Sequence, residues 1–457
     1  MALSPLQLSV LCRLSLALFF TSLLFFNDLF STVIAARTCR HDNHTAANQS
    51  GLAGETVCAW THLLCYSQML FTLGLLLGSL VGGAIADRYG KRPVLLVCIF
   101  LHAGCSIIPA VLPHLLLFLT IRCLTGVCSC CINVCAFSLA VEWIGPQSRL
   151  WPASFLSFCF SLGTMGGALL AWISPTWTHL HLSVALPQII CLPVYLSLPE
   201  SPCWLLLRRR MGVLDGYRGN STADKLCVDQ LLQKDDEQLS NAGHAPSDIT
   251  NRSHPIIILR VFIMSYLNAA SALTYFGICL NIGSFGVDVY SAQFFSGLSE
   301  APCLLVPLVP LGRRPISMLS QLLSGAACFL SLLLSRNNVH PALVMSFALL
   351  GKFCVLTSSF ICSVYCVELF PTAIRQRCFS LVNLCYRLGC LASTLVPSSH
   401  SGAISLAAMV AYSSGPIIGC GLCLLLPETS GVPLPDSLPL KPHPQEQCTL
   451  KEKLDET

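Results

Sequence analysis

Gly83-Ala84-Ile85-Ala86-Asp87-Arg88-Tyr89-Gly90-Lys91-Arg92 sets four charges between two apolar stretches, about His62 to Ala86 and about Pro93 to Pro113. Each stretch is long enough to cross a bilayer core as a helix, which takes about 20 residues. Three of the four charges are basic, so the positive-inside rule places this hairpin in the cytoplasm. Its other residues suit a close contact. Gly83 lets a neighbouring backbone approach, Asp87 can accept hydrogen bonds from a facing helix N-terminus, and Gly90 allows a tight turn before Lys91 and Arg92.

The same pattern extends along the whole chain. Of 457 residues, 54% are hydrophobic and only 11% charged, against roughly 25% charged in soluble chains. That composition defines an all-α polytopic membrane protein embedded in a lipid bilayer. Twelve apolar spans are expected, at about 11–36, 62–86, 93–113, 115–141, 151–174, 178–198, 256–281, 288–309, 315–335, 341–368, 378–399 and 402–426. The first reads as a retained helix, since no small-residue cleavage site ends it. The net charge of +4 is small and its basic residues sit in short loops, giving no support for a nucleic-acid partner. Most of the 27 cysteines lie inside spans, among them Cys98, Cys105, Cys128 and Cys131. They read as small packing residues, and no Cys/His spacing suggests a metal.

Orientation follows from the loops. Arg88, Lys91 and Arg92 follow the second span, Arg149 the fourth, and Arg208, Arg209 and Arg210 the sixth. Arg313 and Arg314 follow the eighth, Arg375 and Arg377 the tenth. Every even-to-odd connection is basic, so these loops and both termini face the cytoplasm. The loop after the first span, about 37–61, is then outside. It carries two glycosylation sequons, at Asn43 and Asn48, and two cysteines, Cys39 and Cys58, that can pair in an oxidising compartment. Sequons at Asn220 and Asn251 fall on the cytoplasmic side and are expected to stay unmodified. The expected organisation is a six-helix half over 1–198, a central cytoplasmic loop over 199–255, a second six-helix half over 256–426, and a tail over 427–457 with the composition of a disordered segment.

The opening stretch resembles the G-x-x-x-D-R-x-G-R/K-R loop of the major facilitator superfamily, which joins the second and third helices and helps latch the cytoplasmic side. Further motifs narrow the resemblance. They are Arg122-Cys123-Leu124-Thr125-Gly126 in span four, and Glu142-Trp143-Ile144-Gly145-Pro146-Gln147-Ser148-Arg149 closing it. Pro199-Glu200-Ser201-Pro202 follows span six, Tyr365-Cys366-Val367-Glu368-Leu369-Phe370-Pro371-Thr372-Ala373-Ile374-Arg375 closes span ten, and Pro427-Glu428-Thr429 with Pro433-Leu434-Pro435-Asp436 follows span twelve. Together they resemble the organic cation/anion transporter family, solute carrier family 22, in a divergent, orphan-like branch. The resemblance implies substrate sites near mid-membrane between the halves. Two departures stand out. The outer loop is short, and Val309 and Pro310 replace the Asp and Arg expected before Gly312-Arg313-Arg314. The second-half carboxylate latch is thus expected to be missing, and the halves are not expected to be gated symmetrically by charge.

An ionisable residue inside a bilayer costs on the order of 3 kcal/mol on insertion scales and is a functional candidate for that reason. Arg387 is about ten residues into span eleven, roughly 15 Å deep at 1.5 Å per residue, and matches a basic position of the anion-transporting members. It either contacts substrate or pairs with Glu300 at mid-depth in span eight. Lys352 matches a second basic position, nearer the outside, and either contacts substrate or snorkels outward. Tyr275 and Phe276 match an aromatic pair lining the family's cavity, with core packing as the alternative. Asn27-Asp28 either lines the cavity or bonds another helix. Cys303 stands where the anion transporters carry a lysine, which removes one positive charge.

Gly74, Gly78 and Gly82 recur every fourth residue and predict a close-packed helix face. Asp87, Arg88, Glu142, Arg149, Glu368 and Arg375 sit at cytoplasmic helix ends, where the family uses them as an inter-helix charge network. The chain lacks a G-x-x-x-x-G-K-S/T nucleotide loop, so direct ATP drive and a cofactor are not expected. With no catalytic triad on a common face, an enzyme is not expected either. The expectation is a plasma-membrane protein moving a small organic ion by alternating access, an anion in preference to a cation. A non-transporting receptor or scaffold on the same fold is the alternative.

Overall fold

The computed structural model describes residues 4–42, 65–112, 114–144, 150–208, 210–217, 225, 228–229, 255–285, 287–308, 312–337, 339–370, 372–395 and 406–429. Asn43, Asn48, Cys58, Arg149, Val309, Pro310, Asn220, Asn251 and the tail from 430 lie outside them, as do the side chains of Cys39 and Arg375.

All described secondary structure is helical, and among the described residues nine stretches are long and apolar enough to cross a membrane on their own. The first span combines α1 (Pro5–Phe25) and α2 (Asn27–Asp42), broken at Phe26. It runs further at both ends than the sequence suggested. Ser4 caps α1 reciprocally with Gln7, and Gln7 Nε2 donates to Trp143 O at 2.8 Å, tying the chain start to the end of span four. Spans two to five are α3 (Cys65–Tyr89), α4 (Lys91–Val111), α5 (Leu115–Ile144) and α6 (Leu150–Ile173).

Span six divides into α7 (Trp177–Ile190) and α8 (Leu192–Leu196), where Pro187 and Pro193 remove backbone donors. The short helices α9 (Pro202–Leu207) and α10 (Met211–Gly216) follow. Span seven is α11 (Pro255–Leu280). Span eight begins as α12 (Val289–Glu300) and tightens into a 3₁₀ helix over Ala301–Leu308, where Pro302 and Pro307 interrupt it. Spans nine to twelve are α13 (Arg313–Arg336), α14 (Pro341–Leu369), α15 (Thr372–Leu395) and α16 (Leu406–Cys423).

α13 carries the membrane's imprint. Ser317, Ser320, Gln321, Ser324 and Ser331 are buried, while Leu319, Leu322, Leu323, Phe329 and Leu333 are exposed. Polar-inside, apolar-outside is the reverse of a soluble helix and suits lipid as the solvent.

Packing repeats between the halves. α1 lies on α6 as α11 lies on α15, and α4 on α7 as α13 on α16. The halves meet through α6 with α12 and α3 with α15. The glycine face is used as expected: a Cβ on Gly74 would fall 2.1 Å from Cys123 O, and one on Gly78 2.7 Å from Val127 O. Gly83 departs from expectation. No described heavy atom lies within 4 Å of where its Cβ would be, so the backbone approach belongs to Gly74 and Gly78, roughly one and a half to two and a half turns earlier.

Candidate functional site

Midway through the bundle, an apolar cluster joins both halves: Phe25, Phe71, Leu75 and Cys130 meet Ala272, Tyr275, Phe276, Cys279, Val355 and Cys390. Phe25 is its hub, edge-on to Phe71 at 5.0 Å and Phe160 at 5.5 Å, and tilted to Phe276 at 5.8 Å. Tyr275 and Phe276 are both buried here and pack edge to face at 5.2 Å. Tyr386 borders the cluster, and the Arg387 guanidinium stands over its ring at 5.6 Å.

Arg387 is half-buried, beyond the middle of α15, and no carboxylate pairs with it among the described residues. The alternative partner anticipated for it, Glu300, is engaged elsewhere. Lys352 Nζ lies 2.6 Å from Glu300 Oε1, and the side chains are 0% and 4% exposed. Tyr275 donates its hydroxyl to the same oxygen at 2.6 Å, and Lys352 also donates to Ser296 O at 3.3 Å and to Ser296 Oγ. Lys352 therefore does not snorkel. A carboxylate two helices away holds it inside, where leaving the pair would strand a buried charge.

A second buried pair crosses the first half. Arg122 of α5 donates from Nη2 to Asp28 Oδ2 at 2.6 Å and from Nε at 3.0 Å, with Nη1 on Leu24 O at 3.3 Å. Its guanidinium also lies over the Phe71 ring at 4.7 Å. Asp28 thus bonds another helix. Its neighbour Asn27 is 1% exposed with an unpartnered Nδ2. At one end of the bundle, Phe30 stacks on Tyr290 at 5.6 Å with ring planes 3° apart, and Arg37 reaches Asp288 at 3.9 Å. These contacts join the first span to the eighth.

The other end of the bundle carries a charged cradle. Gly90 takes φ 102° and, with no side chain, leaves room for Glu200, whose Oε2 would be 2.7 Å from a Cβ there. Glu200 Oε1 then accepts from the backbone N–H groups of Lys91 and Arg92, each at 3.0 Å, where α4 exposes unsatisfied donors. Lys91 pairs with Glu142, Ser201 donates to the same carboxylate, and Arg92 donates to Leu196 O at 2.7 Å. Arg88 accepts at its carbonyl from Arg208 at 3.1 Å. The Asp87 carboxylate is exposed and has no hydrogen bond or ion pair among the described residues.

The second half builds the same cradle. Glu428 accepts from Arg313 N at 2.9 Å and Arg314 N at 3.1 Å, beside Gly312. Arg313 pairs with Glu368 at 3.1 Å, Thr429 donates to Glu368 at 2.7 Å, and Arg314 donates to Leu424 O at 2.7 Å. The charge asymmetry expected from Val309 and Pro310 does not extend to this cluster. The carboxylates come from Pro-Glu-Ser and Pro-Glu-Thr, which follow spans six and twelve. That recurrence was readable, but nothing in it revealed which helix each glutamate would cap.

This twofold arrangement matches known transporters. Residues 14–310 match the model of the Major Facilitator Superfamily. The inward-open structure of the xylose transporter XylE from E. coli superposes with a TM-score of 0.67 at 17% identity, covering 93% of this chain and 98% of that one. A second structure of XylE, bound to 6-bromo-6-deoxy-D-glucose, gives 0.64, again at 17% identity, over 94% of this chain and 98% of that one. The fold is therefore that of a major facilitator.

Among sequences, human solute carrier family 22 member 13 is 30% identical over 400 residues, 85% of this chain and 71% of that protein. Rat solute carrier family 22 member 6 is 29% identical over 413 residues, 87% of this chain and 74% of that protein. Human organic anion transporter 3 is 29% identical over 84% of this chain and 72% of its own length. The chain belongs to solute carrier family 22 of the Major Facilitator Superfamily. It is a multi-pass membrane transporter and not an enzyme.

Proposed function

We propose that the protein carries a small organic anion across the plasma membrane by alternating access, with Arg387 as the residue that binds the substrate's charge. One observation carries the sign of that charge. Arg387 is a half-buried cation at the seam of the halves, and no carboxylate neutralises it among the described residues. A guanidinium stays charged and offers a planar fork to a carboxylate or sulfonate. Tyr275, Phe276 and the Phe25 hub supply aromatic faces for the substrate's body, and Asn27, two residues from Phe25, offers its unpartnered Nδ2. The organic anion transporters among the relatives speak for the same sign. Lys352 and Glu300 form the floor of the site.

The halves are 1–198 and 256–426, joined by the cytoplasmic loop 199–255, with the tail 427–457 on the same side. The two cradles, with Asp87, Arg88, Arg149 and Arg375, form the cytoplasmic gate, and each cradle locks a helix start to its own half. The receptor alternative leaned on a damaged second half. The repeated cradle at Glu428 and Glu368 weighs against it.

The test is uptake of a mixed panel of organic anions, cations and zwitterions into cells with the protein verified at the surface. Saturable anion uptake is expected. No uptake of any of them would favour the receptor. For orientation, glycosidase treatment is expected to shift the protein's mass through Asn43 and Asn48 only, as scored by Asn→Gln variants. A glycan on Asn220 or Asn251 would invert the topology.

A further inference from the structure

The centre of the membrane holds three cations among the described residues: Arg122, Lys352 and Arg387. Two are neutralised inside the protein, Arg122 by Asp28 and Lys352 by Glu300. The second pair is firmly built. α12 presents Gln293, Ser296 and Glu300 on one face by their spacing of three and four, and all three are buried. Lys352 crosses from α14 to lie on Ser296 and Glu300, 5.0 Å above the Tyr275 ring, while Tyr275 clamps the shared carboxylate oxygen from α11. The three helices thus enclose a charge pair of zero net charge beside the aromatic cluster.

We propose that Glu300 is a specificity residue: by neutralising Lys352 it leaves Arg387 as the one open cation of the site among the described residues, and so restricts transport to organic monoanions against dianions. This rests on the anion reading above. A monoanion brings one negative charge and finds one partner. A dianion brings a second that would be desolvated next to the Glu300 carboxylate instead of a free ammonium, and a buried charge without a partner is strongly disfavoured. The neutral aromatic faces around Phe25 and Phe276 offer that second charge no compensation.

Benzenesulfonate and benzene-1,3-disulfonate share a ring, differ by one charge and stay ionised at any working pH. Wild type is expected to take up the monosulfonate at least about tenfold faster than the disulfonate, the size of one hydrogen bond to a charged group. Glu300→Gln keeps an acceptor for Tyr275 and the side-chain volume while releasing the Lys352 charge. It is expected to close most of that gap. The double variant Glu300→Gln with Lys352→Met removes both charges and is expected to restore the wild-type ratio. Equal wild-type rates for the two sulfonates would overturn the proposal. So would an unchanged ratio in Glu300→Gln at normal surface level, or the same gain of disulfonate in the double variant. Should Glu300→Gln not reach the surface, Glu300→Asn takes its place, with the same ratio expected and the same outcomes against the proposal. Wild type at the surface that moves neither sulfonate would defeat the anion reading itself. Monosulfonate uptake with no effect at Glu300 would leave that reading standing and remove only this one.

Discussion

Arg387→Ala is expected to reduce saturable anion uptake to background while surface protein stays near the wild-type level. The separation of these two effects follows from what the side chain touches. It lies over the face of Tyr386 and has no ion pair among the described residues, so truncation strands no buried carboxylate and breaks no helix-to-helix ion pair. Folding therefore loses little. Binding loses a cation that can meet the substrate's charge in a low-dielectric setting, where a charge-assisted hydrogen bond is worth about 1.5–3 kcal/mol, or roughly 10- to 150-fold. Arg387→Lys is expected to retain part of the uptake with a raised KM, because an ammonium keeps the charge but not the fork. Lys352→Ala is the contrasting control. It would strand Glu300 and is expected to lower surface protein before any question of transport arises. Arg387→Ala with wild-type uptake and KM would remove this residue from the site.

The parts of the protein that were legible in the sequence are those that a single helix encodes. The hairpin at Asp87-Arg88-Tyr89-Gly90-Lys91-Arg92 pointed to the fold because loop charge and span length are local quantities. Gly74, Gly78 and Gly82 gave a packing face because a period of four is a property of one helix. Partners across helices were another matter. Glu300 was one of two alternatives for Arg387, the other being substrate, whereas Lys352 takes it. Depth constrains a residue along its helix, and only the rotation of α12 and α14 about their axes decides which cation it meets. Glu200 and Glu428 cap helices more than a hundred residues away, and their backbone-directed bonds leave no trace in side-chain type at the other end. Gly83 was misjudged for the converse reason: it stands one residue past Gly82, which rotates it off the packed stripe.

Arg122→Gln should destabilise the protein more than any other single change considered, by about 3–5 kcal/mol, the usual cost of breaking a buried pair. The Asp28 carboxylate, 4% exposed, would keep its burial and lose both bonds from the guanidinium. Leu24 O and the Phe71 ring would lose their cation as well, loosening α5 from the first span next to its break at Phe26. The expected readouts are a fall in protein reaching the surface and a lower melting temperature in detergent. Asp28→Asn should fall in the same direction, since it leaves the buried guanidinium without its counter-charge. The pair Asp28→Leu with Arg122→Met leaves no charge behind and fills similar volume. It should recover surface level and melting temperature, because well-packed apolar residues often replace a buried ion pair at no net cost. Uptake by that double variant then assigns the pair's purpose. Recovered uptake makes Asp28–Arg122 a strut that fixes the rotation of α5 against α2. A stable, surface-exposed double variant without uptake makes it part of the moving machinery, where an ion pair that parts and re-forms can do what two apolar side chains cannot. A melting temperature unchanged in Arg122→Gln would mean that the pair holds nothing together.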